Sequence, residues 1–237
     1  MKEKIKVIVW GCSGYMGSVV RNLLQDSETL EYLCGIDIDS TNSWECGADV
    51  VIDFSSPEGT MQMLKFATEF KVPAVIATTG FTPEHEKEIN KASKVIPVFK
   101  SANMSFEVAL LKNTLKKLAN QLSDSDIEIV EVHNNRKKDA PSGTAKLLAD
   151  SINSGLDEPR KIVYGREGKR QKDEIGIASL RGGNIVGEHS VNFFNQFETL
   201  KITHIAHTRD VFAAGSLKAA EFIVKQQPGL YTMDDLF

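Results

Sequence analysis

Apolar residues in the first hundred positions fall in short runs that alternate with helical faces. Residues 5–10 are almost wholly apolar, which is typical of a strand covered on both faces of a parallel sheet. Apolar residues then recur at helical spacing over residues 18–24. The alternation continues with strands predicted at 31–37, 49–54, 73–77 and 96–99, and with helices predicted at 57–70 and 83–92. Strands that alternate with helices predict a doubly wound parallel sheet.

The pattern changes after about residue 104. An amphipathic helix is predicted at 106–122, a strand at 126–132 and a second helix at 145–152. Further strands are predicted at 161–164, 175–181, 185–192 and 199–204, and a last helix at 213–226. Strands in succession, separated by turn residues, predict an α+β domain with a mixed or antiparallel sheet.

A glycine-rich turn, GCSGYMG, lies between the first predicted strand and helix. Gly11 permits a tight turn, Gly14 lets the backbone approach a pyrophosphate, and Gly17 allows close packing of the helix on the sheet. The helix N-terminus would then face the phosphates. The spacing is G-x-x-G-x-x-G and not the stricter G-x-G-x-x-G, so a structural glycine turn is the alternative.

The second predicted strand ends in Asp37, about where a dinucleotide ribose needs an acceptor for its 2′-hydroxyl. The alternative is an ordinary helix cap or turn residue. Ile38 follows, where a 2′-phosphate would require a cation, and Asp39 adds repulsion. These residues predict a preference for NADH, with NADPH possible.

The segment EVHNNRKKDAPSGTA, residues 131–145, concentrates more chemistry than any other. Pro141 suits a first helical turn, and the next amides would then be unpaired donors that bind carboxylate or phosphate. These amides belong to Ser142, Gly143 and Thr144.

His133 lies at the carboxyl end of the predicted strand, and Lys137 follows four residues later. Both can point into one cleft, where the cation binds substrate and either group donates a proton. The alternatives are a solvated charge run at 136–138 and an ordinary histidine at a strand end.

The order E-x-H-x-N-x-K-x-D-A-P-S-G-T-A resembles the signature of dihydrodipicolinate reductases, nicotinamide-dependent enzymes of the diaminopimelate route to lysine. That family usually has two adjacent histidines, the first implicated as acid/base and the second in contact with substrate. The resemblance implies an acid/base role for His133. Asn134 stands in the second place, where it can hydrogen-bond a carboxylate but supplies no positive charge.

Two further segments resemble family motifs. Residues 77–81, ATTGF, are similar to a G-T-T-G-F segment beside the nicotinamide, with Ala77 in place of the usual glycine. Residues 101–105, SANMS, are similar to an A-x-N-M/F-S segment where the chain leaves the nucleotide domain. Together with the glycine turn they imply a cofactor site formed by Gly11, Cys12, Ser13, Gly14, Tyr15, Met16, Asp37, Ala77, Thr78, Thr79, Ser101, Asn103 and Met104.

The resemblance covers nearly the whole chain and implies its organisation. An α/β Rossmann-like dinucleotide-binding domain, residues 1–103 and 213–237, would carry an inserted α+β substrate-binding and oligomerisation domain, residues 104–212. The implied reaction reduces 4-hydroxy-tetrahydrodipicolinate to tetrahydrodipicolinate, with hydride from NAD(P)H and loss of water. The implied catalytic residues are His133 and Lys137. The implied contacts to the dicarboxylate substrate are Asn134, Lys137, Ser142, Gly143 and Thr144.

Composition restricts the expected partners and cellular location and does not change the predicted fold or function. A net charge of -4 and a pI of about 5.8 argue against a nucleic-acid partner. Cys12, Cys34 and Cys46 lack metal or disulfide spacing, and no apolar run is long enough to span a membrane. A cytoplasmic protein is expected, and the family implies a homotetramer. His189 is expected to be structural and no metal site is expected.

Two other functions remain open at this stage. Departures from the family pattern at Ala77, Glu107, Ala109 and Asn134 would suit a dinucleotide-binding regulatory protein that has lost turnover. A related imine or amino-acid dehydrogenase would act on a different small acid.

Overall fold

The computed structural model describes residues 3–37 and 47–237. The chain divides into two compact units, Met1–Phe106 with Asp210–Phe237, and Glu107–Arg209. These boundaries lie three residues from the predicted ones at 103/104 and 212/213. Ile38 and Asp39, which motivated the NADH preference, and Cys46 lie outside the described residues.

The secondary structure alternates early in the chain and becomes strand-rich later. In chain order the described elements are β1 (Ile5–Trp10), α1 (Tyr15–Gln25), β2 (Leu30–Ile36), β3 (Val50–Asp53), α2 (Pro57–Phe70), β4 (Ala74–Ile76), α3 (Pro83–Ala92), β5 (Pro97–Lys100), α4 (Phe106–Gln121), β6 (Asp126–His133), α5 (Gly143–Asn153), β7 (Lys161–Tyr164), β8 (Glu174–Arg181), β9 (Gly187–Phe194), β10 (Thr199–Ala206), α6 (Asp210–Ile223), β11 (Gly229–Tyr231) and a final 3₁₀ turn (Met233–Leu236).

The first unit contains a parallel sheet with the strand order β2-β1-β3-β4-β5-β11. The central strands β3 and β4 are buried along their whole length, which explains why they are apolar except for Asp53, the last residue of β3. The order reverses at β1, so the carboxyl ends of β1 and β3 flank the crevice where this class of sheet binds ligands. Strand β11 has only three residues, too few to show a period in the sequence.

The second unit contains a mixed sheet with the order β10-β9-β6-β8-β7. Strand β6 pairs antiparallel with β9 and parallel with β8. One face of β6 carries Ile127 and Ile129, which pack in a core with residues of α4 and α5. Towards the carboxyl end of β6 the same face carries Glu131 and His133, because side chains two apart on a strand share a face.

Helix α5 begins at Gly143, two residues before the predicted start. Ser142 is its N-cap, and the Ser142 hydroxyl accepts a hydrogen bond from the Ala145 amide at 3.1 Å. Pro141 therefore precedes the cap. The prediction that it lies in the first helical turn is wrong. Strand β9 also begins two residues later than predicted, at Gly187.

Among residues 3–37 and 47–237, no helix is both long and apolar enough to cross a bilayer.

Gly17 provides a test of the packing of α1. A Cβ at this position would lie 2.1 Å from the carbonyl oxygen of Gly11, a backbone atom that cannot rotate away. We expect Gly17→Ala to cost about 1–3 kcal/mol and lower the Tm by several degrees in a thermal melt. Gly14→Ala is the control, because its Cβ would lie at 3.2 Å from the same oxygen. Equal melting temperatures for both variants would contradict the packing role of Gly17.

Candidate active site

The glycine turn has the conformation that its sequence predicted. Gly11 has φ +80°, and a Cβ there would lie 2.7 Å from the carbonyl oxygen of Phe54. Helix α1 begins at Tyr15, which is exposed, followed by the partly buried Met16. Its N-cap is Gly14, and its first turn contains no acidic residue. The start of α1 can therefore accept an anion through its backbone amides.

Asp37 lies beside this turn, at the end of β2. Its carboxylate accepts hydrogen bonds from the Ser13 amide at 3.1 Å and from the Cys12 thiol at 3.0 Å. Burial opposes ionisation, but hydrogen bonds from Cys12 and Ser13 lower the pKa of Asp37. The structure thus brings together Cys12, Ser13 and Asp37, and an ionised carboxylate at this place can accept from ribose hydroxyls.

Asp53 joins two loops at the same edge of the sheet, and the sequence analysis did not identify it. It is fully buried, and its carboxylate accepts from the hydroxyls of Ser55 and Thr60, both at 2.5 Å. The Ser55 amide also donates to the hydroxyl of Thr78 at 3.0 Å. Burial raises the pKa of Asp53. The signal in the sequence that could have identified Asp53 is an acidic residue at the end of an otherwise apolar strand.

The other predicted cofactor residues differ in accessibility. Ala77 is partly buried and its amide donates to the Asp53 carbonyl at 2.9 Å, whereas Thr79 is exposed. The Ser101 hydroxyl donates to the Asn103 carbonyl at 2.7 Å. Met104 is only 2% exposed, so its side chain belongs to the core of the first unit.

Glu131 is the centre of the site in the second unit. It is fully buried and accepts a two-pronged ion pair from Arg181, at 2.8 Å to Oε1 and 2.9 Å to Oε2. Oε1 also accepts from the Ser142 amide at 3.1 Å, and Oε2 lies 2.5 Å from Nδ1 of His133. Burial alone would raise its pKa, but hydrogen bonds lower the pKa of Glu131 to about 2. The donors, in order of effect, are Arg181, Ser179, His133 and the Ser142 amide.

The protonation of His133 follows from its neighbour. An ionised carboxylate only accepts hydrogen bonds, so Nδ1 of His133 carries a proton. Burial lowers the pKa of His133, while Glu131 opposes that shift, so the neutral ring has an unprotonated Nε2. A Cβ at Gly187 would lie 3.1 Å from this nitrogen. His133 can therefore accept a proton at Nε2 and donate it again.

Lys137 lies on the loop that follows β6. Its ammonium is 2.8 Å from the carboxylate of Asp139, and this hydrogen bond lowers the pKa of Asp139. Arg181 also donates to the backbone carbonyl of Asp139 at 2.7 Å. The same guanidinium that holds Glu131 therefore anchors the loop that carries Lys137.

Two predicted substrate contacts have other partners. The Ser142 amide, predicted as an unpaired donor, donates to Glu131, and that prediction is wrong because a carboxylate from β6 reaches it. The Asn134 side chain donates to the Ile185 carbonyl at 3.3 Å and accepts from the Arg136 amide at 3.1 Å, so it holds the loop. Gly143 and Thr144, the other two residues of the predicted anion site, begin α5.

His189 belongs to this site, although the sequence suggested only a structural role. Its ring lies edge-on to that of His133, with centroids 5.1 Å apart, and its Nε2 is 2.9 Å from the Ser142 hydroxyl. Burial, followed by the neighbouring His133, lowers the pKa of His189 to about 4. His189 pairs with Glu131 across β9 and β6, a register that the sequence alone does not reveal.

Glu131, His133 and His189 also form a possible metal-ligand set, since their ligand atoms lie within 4.8 Å of one another. Both oxygens of Glu131 are already engaged by Arg181, and a guanidinium at this distance repels a cation. The three side chains fit a hydrogen-bonded cluster better than a metal site.

A parallel sheet with a glycine turn and an acid at the end of β2, and a buried carboxylate–imidazole pair beside a lysine, are typical of dinucleotide-dependent oxidoreductases. Residues 5–104 match the family profile of dihydrodipicolinate reductase, N-terminus, and residues 107–237 match the C-terminus profile. The chain belongs to the dihydrodipicolinate reductase family.

Close relatives agree over almost the full length. The 4-hydroxy-tetrahydrodipicolinate reductase of Alkaliphilus oremlandii is 47% identical over 234 residues, 97% of each chain. The enzyme of the same name from Caldanaerobacter subterraneus is 47% identical over 245 residues, 98% of each chain. The predicted family, enzyme class and function in lysine biosynthesis are confirmed.

Solved structures agree with the fold. A dihydrodipicolinate reductase from Paenisporosarcina, solved with dipicolinate bound, aligns with a TM-score of 0.82 and 21% identity, covering 99% of this chain and 100% of that one. A diaminopimelate dehydrogenase from C. glutamicum aligns with a TM-score of 0.57 and 12% identity, covering 98% of this chain and 93% of that one. The predicted fold class is confirmed.

The low pKa of His189 makes the stability of the protein depend on pH. His189 binds a proton near its ordinary pKa of 6.5 in the unfolded state, but only near 4 in the folded state. The contribution of neutral His189 to the free energy of unfolding is therefore fully present above pH 6.5 and is lost as the pH falls towards 4. We expect His189 to account for a loss of about 3 kcal/mol between pH 7 and 4. Urea unfolding at both pH values should show a smaller loss in His189→Asn. An equal loss in the variant would contradict this assignment.

Proposed function

We propose that His133 and Lys137 carry out the proton chemistry of the reductase reaction. The observation that carries this proposal is the hydrogen bond from Nδ1 of His133 to the ionised Glu131, which leaves Nε2 available for proton transfer. Hydride passes from the nicotinamide to the ring of 4-hydroxy-tetrahydrodipicolinate, and water is lost. Lys137 neutralises or protonates the nitrogen side of the ring, and His133 completes proton transfer.

The substrate is a rigid dicarboxylate, and its recognition is proposed to use the start of α5. Gly143 is exposed at the first helical position, and Thr144 follows it. Amides and a hydroxyl at a helix N-terminus favour a carboxylate, and the ammonium of Lys137 adds a positive charge. Asn134 is proposed to support this contact by holding the loop. The dipicolinate bound to the Paenisporosarcina enzyme is a dicarboxylate of this kind.

The cofactor is proposed to be NADH in preference to NADPH, with NADPH possible. Hydrogen bonds from Cys12 and Ser13 keep Asp37 ionised at the end of β2. A carboxylate there accepts from ribose hydroxyls and repels a 2′-phosphate.

The protein is further proposed to be a cytoplasmic homotetramer that assembles through the sheet of the second unit. The strand register places Leu180, Phe194 and Ile205 on the sheet face opposite Ile129. Their exposures are 49%, 42% and 51%, with Leu180 and Ile205 at one end of the face and Phe194 at the other. Exposed apolar side chains on this sheet face support its use as a contact between copies.

Removal of either proton-transfer group is expected to slow turnover selectively. His133→Ala and Lys137→Ala should lower kcat about 10²–10⁴-fold, the range for positioned acid/base groups, while the Kd for NADH stays within about twofold. Turnover is measured with substrate generated in situ, and NADH binding by fluorescence titration. Lys138→Ala is the matched control, since it removes an adjacent exposed cation. Parallel losses of turnover and NADH binding would contradict the proposed roles.

Neutralisation of Asp37 is expected to weaken the discrimination between cofactors. Asp37→Asn keeps the shape of the side chain and removes a charge whose repulsion of a 2′-phosphate is about 1 kcal/mol or more. The ratio of kcat/KM for NADPH to that for NADH should rise about tenfold. Asp26→Asn, at the C-cap of α1, is the control. An unchanged ratio in Asp37→Asn would remove Asp37 from the specificity argument.

A further inference from the structure

We propose that Glu131 is a positioning residue for His133. Held by Arg181, it fixes the tautomer and the orientation of the imidazole, so that Nε2 is the nitrogen that exchanges a proton. This inference rests on the role proposed above for His133, and it adds Glu131 and Arg181 to the residues on which the reaction depends.

The first step is that the Glu131 carboxylate cannot turn. Arg181 donates one N–H to each of its oxygens, a planar fork that fixes the plane of the carboxylate. The Ser142 amide adds a third donor at Oε1. The guanidinium is itself held by the backbone carbonyls of Leu180 and Asp139, both at 2.7 Å. The acceptor presented to His133 is therefore set by β8 and the loop before α5.

The second step concerns the imidazole. A neutral imidazole with no fixed partner populates both tautomers, and in one of them Nε2 carries the proton and cannot accept another. The ionised Glu131, 2.5 Å from Nδ1, stabilises only the tautomer with a proton on Nδ1. Four charged or titratable groups face His133 from the surrounding elements: Glu131 on β6, Arg181 on β8, His189 on β9 and Lys137 on the following loop.

The third step concerns the neighbour of Nε2. His133 pairs with Arg181 on β8, and Gly187 begins β9 on the other side. A Cβ at Gly187 would lie only 3.1 Å from Nε2, so any side chain at this position would crowd this nitrogen. The strand register thus places Nδ1 of His133 against Glu131 and Nε2 against Gly187.

A merely structural ion pair would have different consequences. If Arg181 and Glu131 only stabilised the sheet, replacing Glu131 would lower stability without lowering the kcat of the protein that remains folded. Glu128 provides the comparison, because it lies on the same strand and pairs with Arg166 at 2.7 Å and with Arg170 at 3.2 Å, without contact to His133.

The test is Glu131→Gln, with Glu128→Gln as the matched control. With its carbonyl oxygen towards Ser142, the new amide places its NH₂ group on Nδ1 of His133, which favours a proton on Nε2. We expect ¹⁵N NMR of histidine-labelled protein to show this inversion of the tautomer, and the pKa of His133 to fall. The kcat should fall about 10²–10⁴-fold, as when a triad carboxylate is replaced by its amide. Glu128→Gln should leave all three quantities unchanged.

Glu131→Asp completes the experiment if Glu131→Gln folds poorly. It keeps the negative charge, so the Nδ1–H tautomer should persist and turnover should exceed that of Glu131→Gln. An unchanged His133 tautomer and pKa in Glu131→Gln would overturn the inference, as would the loss of the Nδ1–H tautomer in Glu131→Asp. The NMR result stands apart from the proposed function, which fails instead if His133→Ala retains full turnover.

Discussion

The buried ion pair between Glu131 and Arg181 is the interaction on which the candidate site of the second unit depends. A carboxylate removed from water is unfavourable unless donors surround it, and here a guanidinium, a hydroxyl, an amide and an imidazole do so. The donors come from three parts of the chain, namely β8, the N-cap of α5 and β6 itself. One charge therefore holds together the sheet, the helix start and the loop that carries Lys137.

The first unit also contains a buried carboxylate held by hydrogen bonds, but the donors are uncharged hydroxyls. Asp53 at the end of β3 is surrounded by the hydroxyls of Ser55 and Thr60 and has no cation among its hydrogen-bond partners in the described chain. Its hydrogen bonds fix the loops that carry Ser55 and Thr78 at the carboxyl edge of the sheet. In both units a buried acid at a strand end organises the loops that a ligand would meet.

Local signals in the sequence predicted much of the fold. Helices α2 and α3 begin and end at the predicted residues, and their starts are fixed because Ser56 and Thr82 cap them and a proline follows each cap. The mixed sheet and the family followed from pattern and motif. Contacts between strands could not be predicted from the sequence. The pairing of His189 with Glu131 depends on the strand register. The hydrogen bond from the Ser142 amide to Glu131 joins residues eleven positions apart.

The thiol in the glycine turn has a chemical consequence. Burial and the hydrogen bond to Asp37 raise the pKa of Cys12 to about 11, so almost none of it is thiolate at neutral pH. Oxidants and alkylating reagents act on thiolates, and a sulfur that stays protonated reacts slowly with them. The sulfur of the glycine turn is thereby shielded from thiol-directed chemistry at neutral pH.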